Sequence, residues 1–148
     1  NIFPNNYILF LLSVCVCLLY SIEPLFPHKD IGEGDNVTLS CSYKKFSGTV
    51  NYLHWYRQYP KSTPKFLLFI DPSGFKSNSI PPRLSADIDK NGKQVDLLIS
   101  SAAVSDSALY YCALEPTPTV TGNPSLFGFC HSNKFSFFNF QSLMLEQL

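Results

Sequence analysis

The chain has 148 residues, room for one domain of ordinary size, and at 45% hydrophobic, 15% aromatic and 15% charged it is greasier and less charged than an average soluble protein. Lysine plus arginine and aspartate plus glutamate each number 11, so the net charge is zero, no broad basic field exists to attract phosphate backbones, and nucleic acid is excluded as an expected partner. Eleven prolines with 13 Phe and 8 Tyr suit strands, turns and extended segments better than a helical bundle.

The first feature in chain order is Tyr7 to Leu19, 13 residues without a charge. That run is too short for a spanning helix of about 20 residues but fits a signal-peptide core. Residues 1–21 are expected to be a secretory leader cleaved near Ser21. The leader is expected to be N-terminally incomplete, because it starts at Asn1 and lacks a basic segment. A buried N-terminal strand or helix is disfavoured, since Glu23, Pro24 and Pro27 break the apolar run. Of five cysteines, Cys15 and Cys17 fall in the leader and Cys130 near the C-terminus, which leaves Cys41 and Cys112. In a secreted context that pair favours a disulfide over a metal site. Zinc would want four ligands, His28, His54 and His131 are scattered, and no cofactor is expected.

From about Ser21 to Leu114, short alternating segments recur between turn signals, and no stretch sustains a 3.6-residue apolar period. Val37, Leu39 and Cys41 share one strand face, with Thr38, Ser40 and Ser42 on the other. Leu53 and Trp55 face one way, opposite His54, Tyr56 and Gln58, and Val95, Leu97 and Ile99, then Tyr110 and Cys112, repeat the pattern. Each strand offers one apolar face, so two sheets about 10 Å apart, burying those faces together, are predicted. Turns are expected at Gly32 and Gly34, at Lys61–Pro64 and at Asp71–Gly74. Asn91-Gly92 reads as a two-residue hairpin. Asn36-Val-Thr38 is an N-glycosylation acceptor, although Thr38 reads equally well as an ordinary outward strand residue.

The spacing is specific: Cys41, Trp55 fourteen residues later, then Asp106-x-Ala108-x-Tyr110-x-Cys112, with 71 positions between the cysteines. The set resembles an immunoglobulin variable domain, an all-β, V-type two-sheet sandwich with one inter-sheet disulfide, in which a buried tryptophan packs on the disulfide and a tyrosine two residues before the second cysteine forms a tyrosine corner. By that resemblance Cys41 lies on strand B, Trp55 on C and Cys112 on F, and Trp55, Leu97 and Tyr110 belong to the core. Trp55-Tyr-Arg-Gln-Tyr-Pro60, Lys65-Phe-Leu-Leu-Phe-Ile70 and Ser105-Asp-Ser-Ala-Leu-Tyr-Tyr-Cys-Ala-Leu114 resemble strands C, C′ and F of T-cell receptor alpha or delta variable segments.

The resemblance implies that Arg83 and Asp106 form a salt bridge closing one end of the sandwich. Alternation turns Tyr56, Gln58 and Tyr111 outward, with Pro64 beside them, as an aromatic and amide patch suited to a protein partner. In the family this face pairs with the beta chain, or with gamma for a delta-type chain. Candidate antigen-contacting residues are Lys45, Phe46, Ser47, Thr49 and Asn51 in the B to C loop, and Asp71, Ser73, Phe75 and Lys76 in the C′ to C″ loop. Leu114 and Glu115 open a third loop. The resemblance sets these loops over a peptide presented by a major histocompatibility (MHC) molecule. It also implies CD3 signalling subunits, engaged through segments beyond this sequence, and display on the extracellular face of the plasma membrane. No Gly-x-Ser-x-Gly elbow, phosphate loop or His-Glu-x-x-His occurs, so no enzyme is expected. A stand-alone innate or adhesion receptor of V type is the alternative.

After Leu114 the family pattern calls for Phe-Gly-x-Gly and a strand G, but Phe127-Gly-Phe-Cys130 carries a cysteine in place of the second glycine. The V-type domain is therefore expected to span 22–114 without strand G, leaving an open edge on strand F, and 115–148 to be a disordered, non-family tail. Codons for Pro118-Thr-Val120 can contain the heptamer of a recombination signal, CACAGTG, which would make the tail the read-through of a germline exon.

Overall fold

Alternation of apolar and polar residues accompanies most of the strands at their expected positions. The computed structural model describes residues 22–26, 28–117 and 141–147. The expected leader at residues 1–21, Pro118–Val120 and Phe127–Cys130 lie outside the described residues. The described strands are β1 (Glu23–Pro24), β2 (His28–Ile31), β3 (Val37–Ser42), β4 (Val50–Gln58), β5 (Lys65–Ile70), β6 (Leu84–Asp89), β7 (Gln94–Ile99), β8 (Ala108–Pro116) and β9 (Gln141–Gln147). A 3-10 turn, Val104–Asp106, precedes β8. One sheet has the order β1-β3-β7-β6 and the other β2-β9-β8-β4-β5. The fold is an all-β sandwich.

Between the sheets, Leu39, Leu53, Trp55, Leu68, Val95, Leu97 and Tyr110 are fully buried. Cys41 and Cys112 join the sheets by a disulfide with Cα atoms 6.6 Å apart. Trp55 lies directly across from Cys112 in the β4–β8 register, so the indole and the disulfide share one face. Alternation is interrupted on β5. The β4–β5 register slips between Trp55 and Tyr56, leaving Leu67 and Leu68 both buried while Phe66 is exposed.

Three expectations change. The Asn91-Gly92 hairpin is not a two-residue turn: Asp89 pairs with Gln94, leaving a four-residue loop. The Asp89 carboxylate accepts the Asn91 and Gly92 amides, and Lys93 takes the positive φ that glycine was expected to supply. Strand β8 continues through Glu115 to Pro116, past the boundary expected at Leu114, because β4 extends back to Val50 and pairs with it. The edge of β8 is not open. Gln141–Gln147 runs antiparallel to β8, with Leu143 opposite Tyr110 and Gln141 opposite Cys112, and parallel to β2. A bare strand edge presents unpaired N–H and C=O groups that any extended segment can satisfy, and Leu143-Met-Leu145, a continuous apolar run of three, carries no alternation to announce a strand.

Candidate functional site

The outer face of the five-stranded sheet is built by β4, β5 and β8. With Leu53 and Trp55 turned inward, period-2 geometry turns Tyr52, His54, Tyr56 and Gln58 outward. Tyr56 lies opposite Tyr111 on β8 and Phe66 on β5, and its ring meets Phe66 edge-on at 5.7 Å. His54 lies opposite Phe69 and Ala113, 6.4 Å from Tyr56 in a stacked arrangement. Tyr52 meets Phe69 at 4.9 Å, and Phe75 lies 6.2 Å beyond Phe69. The result is a continuous aromatic sheet face. Beneath it Ala113, although on an outward position, is fully buried. Gln58 is oriented from within the domain: Tyr111 Oη donates to its Oε1, and its Nε2 donates to the Ser62 carbonyl at 2.8 Å. Pro64 is exposed in the connection leading to β5. Burial, and secondarily the charge of Glu115, push the Tyr56 phenol above its ordinary value.

Sequence reasoning assigned no role to Tyr52, His54, Phe66 or Phe69. The first two were legible in the alternation that placed Tyr56 outward. The two phenylalanines were hidden by the register slip, which no local pattern in Phe-Leu-Leu-Phe reveals.

At the end of the sandwich where β3 leads to β4, the expected loop residues divide. Ser47 and Thr49 are exposed. Lys45 is exposed too, and pairs with Glu23 at 2.8 Å. Phe46 packs partly against the core, and its carbonyl accepts Lys93 Nζ. Gly48 lets that ring approach, since a Cβ there would lie 2.7 Å from Phe46 Cζ. Asn51 is a β4 residue whose Nδ2 donates to Glu115 at 2.9 Å. In the second loop Ser73 and Phe75 are exposed, while Lys76 is half-buried and bridges to Ile70. The Asp71 carboxylate accepts the Ser73 hydroxyl and the amides of Ser73 and Phe75, holding its pKa below the usual range. Leu114 is a correction: it is 5% exposed and pairs with Leu53, so its side chain faces the core and is withdrawn from any ligand. Glu115 lies on the outer face, hydrogen-bonded to Asn51 and His54.

Residues 29–126 match the family model "Immunoglobulin V-set domain". Human T cell receptor alpha variable 22 is 40% identical over 107 residues, covering 71% of this chain and 91% of that protein. Human T cell receptor alpha variable 38-2/delta variable 8 is 33% identical over 110 residues, covering 71% and 92%. This chain belongs to the immunoglobulin V-set, among the T-cell receptor alpha and delta variable domains. A chain in the solved structure described as "Structural basis of T cell specificity and activation by the bacterial superantigen toxic shock syndrome toxin-1" shares the fold at 14% identity and a TM-score of 0.66, covering 86% of this chain and 98% of that one.

In this V-set domain the far end of the sandwich is closed by charge. Arg83 grips Asp106 with both nitrogens, at 2.7 and 3.2 Å, and Arg57 stands 3.7 Å away. The Asp106 carboxylate also accepts the Ala103 amide. Burial alone would raise its pKa, but the Arg83 and Ala103 hydrogen bonds outweigh that and lower it. Tyr110 Oη donates to the Asp106 carbonyl at 2.8 Å, tying β8 to the same turn. Burial pushes that phenol up to about 12. These groups are consumed by each other, and their role is structural.

Proposed function

We propose that the domain is the antigen-recognition module of a T-cell receptor alpha chain: it pairs through its aromatic sheet face with the variable domain of a beta chain, and its loop end contacts peptide held by an MHC molecule. In delta-type use the partner is a gamma chain. The observation that carries the reading is the Tyr56–Tyr111–Gln58 patch set within a continuous row of rings, in a chain of this family. Interfaces are enriched in such aromatic side chains, whose large rigid area costs little conformational entropy on binding. The family relatives named above support the receptor assignment. The exposed Ser47, Thr49, Ser73 and Phe75 supply the adaptable polar groups and rings of a recognition surface. Display outside the cell and engagement of CD3 subunits belong to segments beyond this domain.

The test joins the domain to an alpha constant region and co-expresses it with a panel of beta chains. Pairing is expected, and Tyr56→Ala with Gln58→Ala should weaken it at least about tenfold, equivalent to about 1.4 kcal/mol. A chain that reaches the surface alone and never pairs would instead indicate a stand-alone V-type receptor.

A further inference from the structure

Where β8 ends, one carboxylate holds two elements together. Glu115 Oε1 accepts Asn51 Nδ2 at 2.9 Å, and Oε2 lies 3.0 Å from His54 Nε2. Both contacts are partly buried, with the His54 side chain 12% and the Glu115 side chain 23% exposed. At the same place the β4–β8 ladder slips: Val50 pairs with Pro116 and Tyr52 with Glu115, so Asn51 is the extra residue of a bulge. A bulge leaves backbone groups out of the ladder, and here the Asn51 side chain spans the gap. One residue further along, the Thr117 amide donates to the Thr49 carbonyl at 2.8 Å, joining the start of the third loop to the end of the first.

We infer that Glu115 is a positioning residue: its carboxylate, shared between Asn51 and His54, fixes the direction in which the chain leaves β8 relative to the loop that enters β4. The inference deepens the proposed function, because two recognition loops fixed to each other spend less entropy on binding. Glu115 needs no contact with ligand to act. The groups facing His54 among the described residues are Glu115 from β8, Tyr52 and Tyr56 from its own strand, and the rings of Phe66 and Phe69 from β5. Among the described residues Glu115 is thus a carboxylate placed to sense the imidazole.

Amide exchange and histidine titration by NMR on the full chain test this without any partner or peptide, so a failure to pair and a failure of the clamp are separate results. In Glu115→Ala the Thr117 amide should exchange at least about tenfold faster while the Leu97 amide, deep in the other sheet, stays within about twofold. Glu115→Gln keeps an acceptor for Asn51, so Thr117 protection should survive, while His54 titrates at a lower pH because the carboxylate that favoured its cation is gone. Unchanged Thr117 exchange in Glu115→Ala overturns the inference, as does equal acceleration at Thr117 and Leu97, which would mean general loss of stability. An unchanged His54 titration in Glu115→Gln overturns the His54 arm. If Glu115→Ala fails to fold, Asn51→Ala removes the other partner and should still speed Thr117 exchange; no change there also overturns it.

Discussion

Replacing Tyr110 by phenylalanine removes one oxygen from a fully buried ring and leaves the ring itself in place. The lost O–H is the donor to the Asp106 carbonyl at 2.8 Å, in the buried turn that Arg83 also holds. A net hydrogen bond contributes about 1 kcal/mol, and stranding a buried acceptor raises the cost, so Tyr110→Phe should destabilise by about 1–3 kcal/mol. Against a domain stability of about 5–15 kcal/mol the loss is large. With a urea slope of about 1–3 kcal/mol per molar, the midpoint should fall by roughly 1 M. Trp55, the sole tryptophan and fully buried, reports the transition by fluorescence. A second readout follows from linkage. The Tyr110 pKa rises from 10.0 to about 12 on folding, so the folded state keeps a proton that the unfolded state loses. The associated stability is present below pH 10 and drains away toward pH 12, about 2–3 kcal/mol in all. Tyr110→Phe should lose that part of the alkaline limb, while Tyr43 and Tyr56, also raised by burial, contribute equally to both proteins. A midpoint and slope unchanged from the parent, or an identical alkaline limb, would refute the reasoning.

Acid should act through His54. Burial lowers its pKa below 6.5 despite Glu115, so the unfolded chain binds more protons; stability should hold above pH 6.5 and fall as pH drops toward the folded value. His54→Gln should flatten that limb in urea melts taken across the range. Cys41→Ala with Cys112→Ala opens a loop of 71 positions and should cost about 4 kcal/mol, read as a collapse of the thermal midpoint by circular dichroism. Asn36 is exposed, and its Oδ1 accepts the Ser101 amide. This asparagine lies at the end of β3 remote from the loop that follows Ser42, and a glycan there would stay clear of both loops proposed for recognition and of the aromatic sheet face. Expressed behind a heterologous secretion leader in mammalian cells, the chain should show a glycosidase-sensitive mobility shift that Thr38→Val abolishes; an identical mobility in both would count against occupancy.

Much of this molecule follows from local pattern. Alternation at Val37 to Cys41 and at Val95 to Ile99 assigns two strands and their buried faces, because a pleated strand has a side-chain period of two whatever surrounds it. The spacing of Cys41, Trp55, Tyr110 and Cys112 resembles that of an immunoglobulin variable domain, and the resemblance implies which strands meet across the core, while the outward set Tyr56, Gln58 and Tyr111 follows from strand parity. Tertiary structure alone decided the rest, since each part of it depends on residues far apart in sequence. The slip between Trp55 and Tyr56 that brings Phe66 and Phe69 beside His54 is a property of two strands in register. Leu114 is turned into the core opposite Leu53, 61 positions earlier, and Glu115 meets Asn51 and His54 across the same ladder. Whether Gln141–Gln147 is a strand depended on the free edge of β8, because a short, weakly patterned segment becomes a strand when an unpaired ladder accepts its backbone, and no residue within it announces that edge.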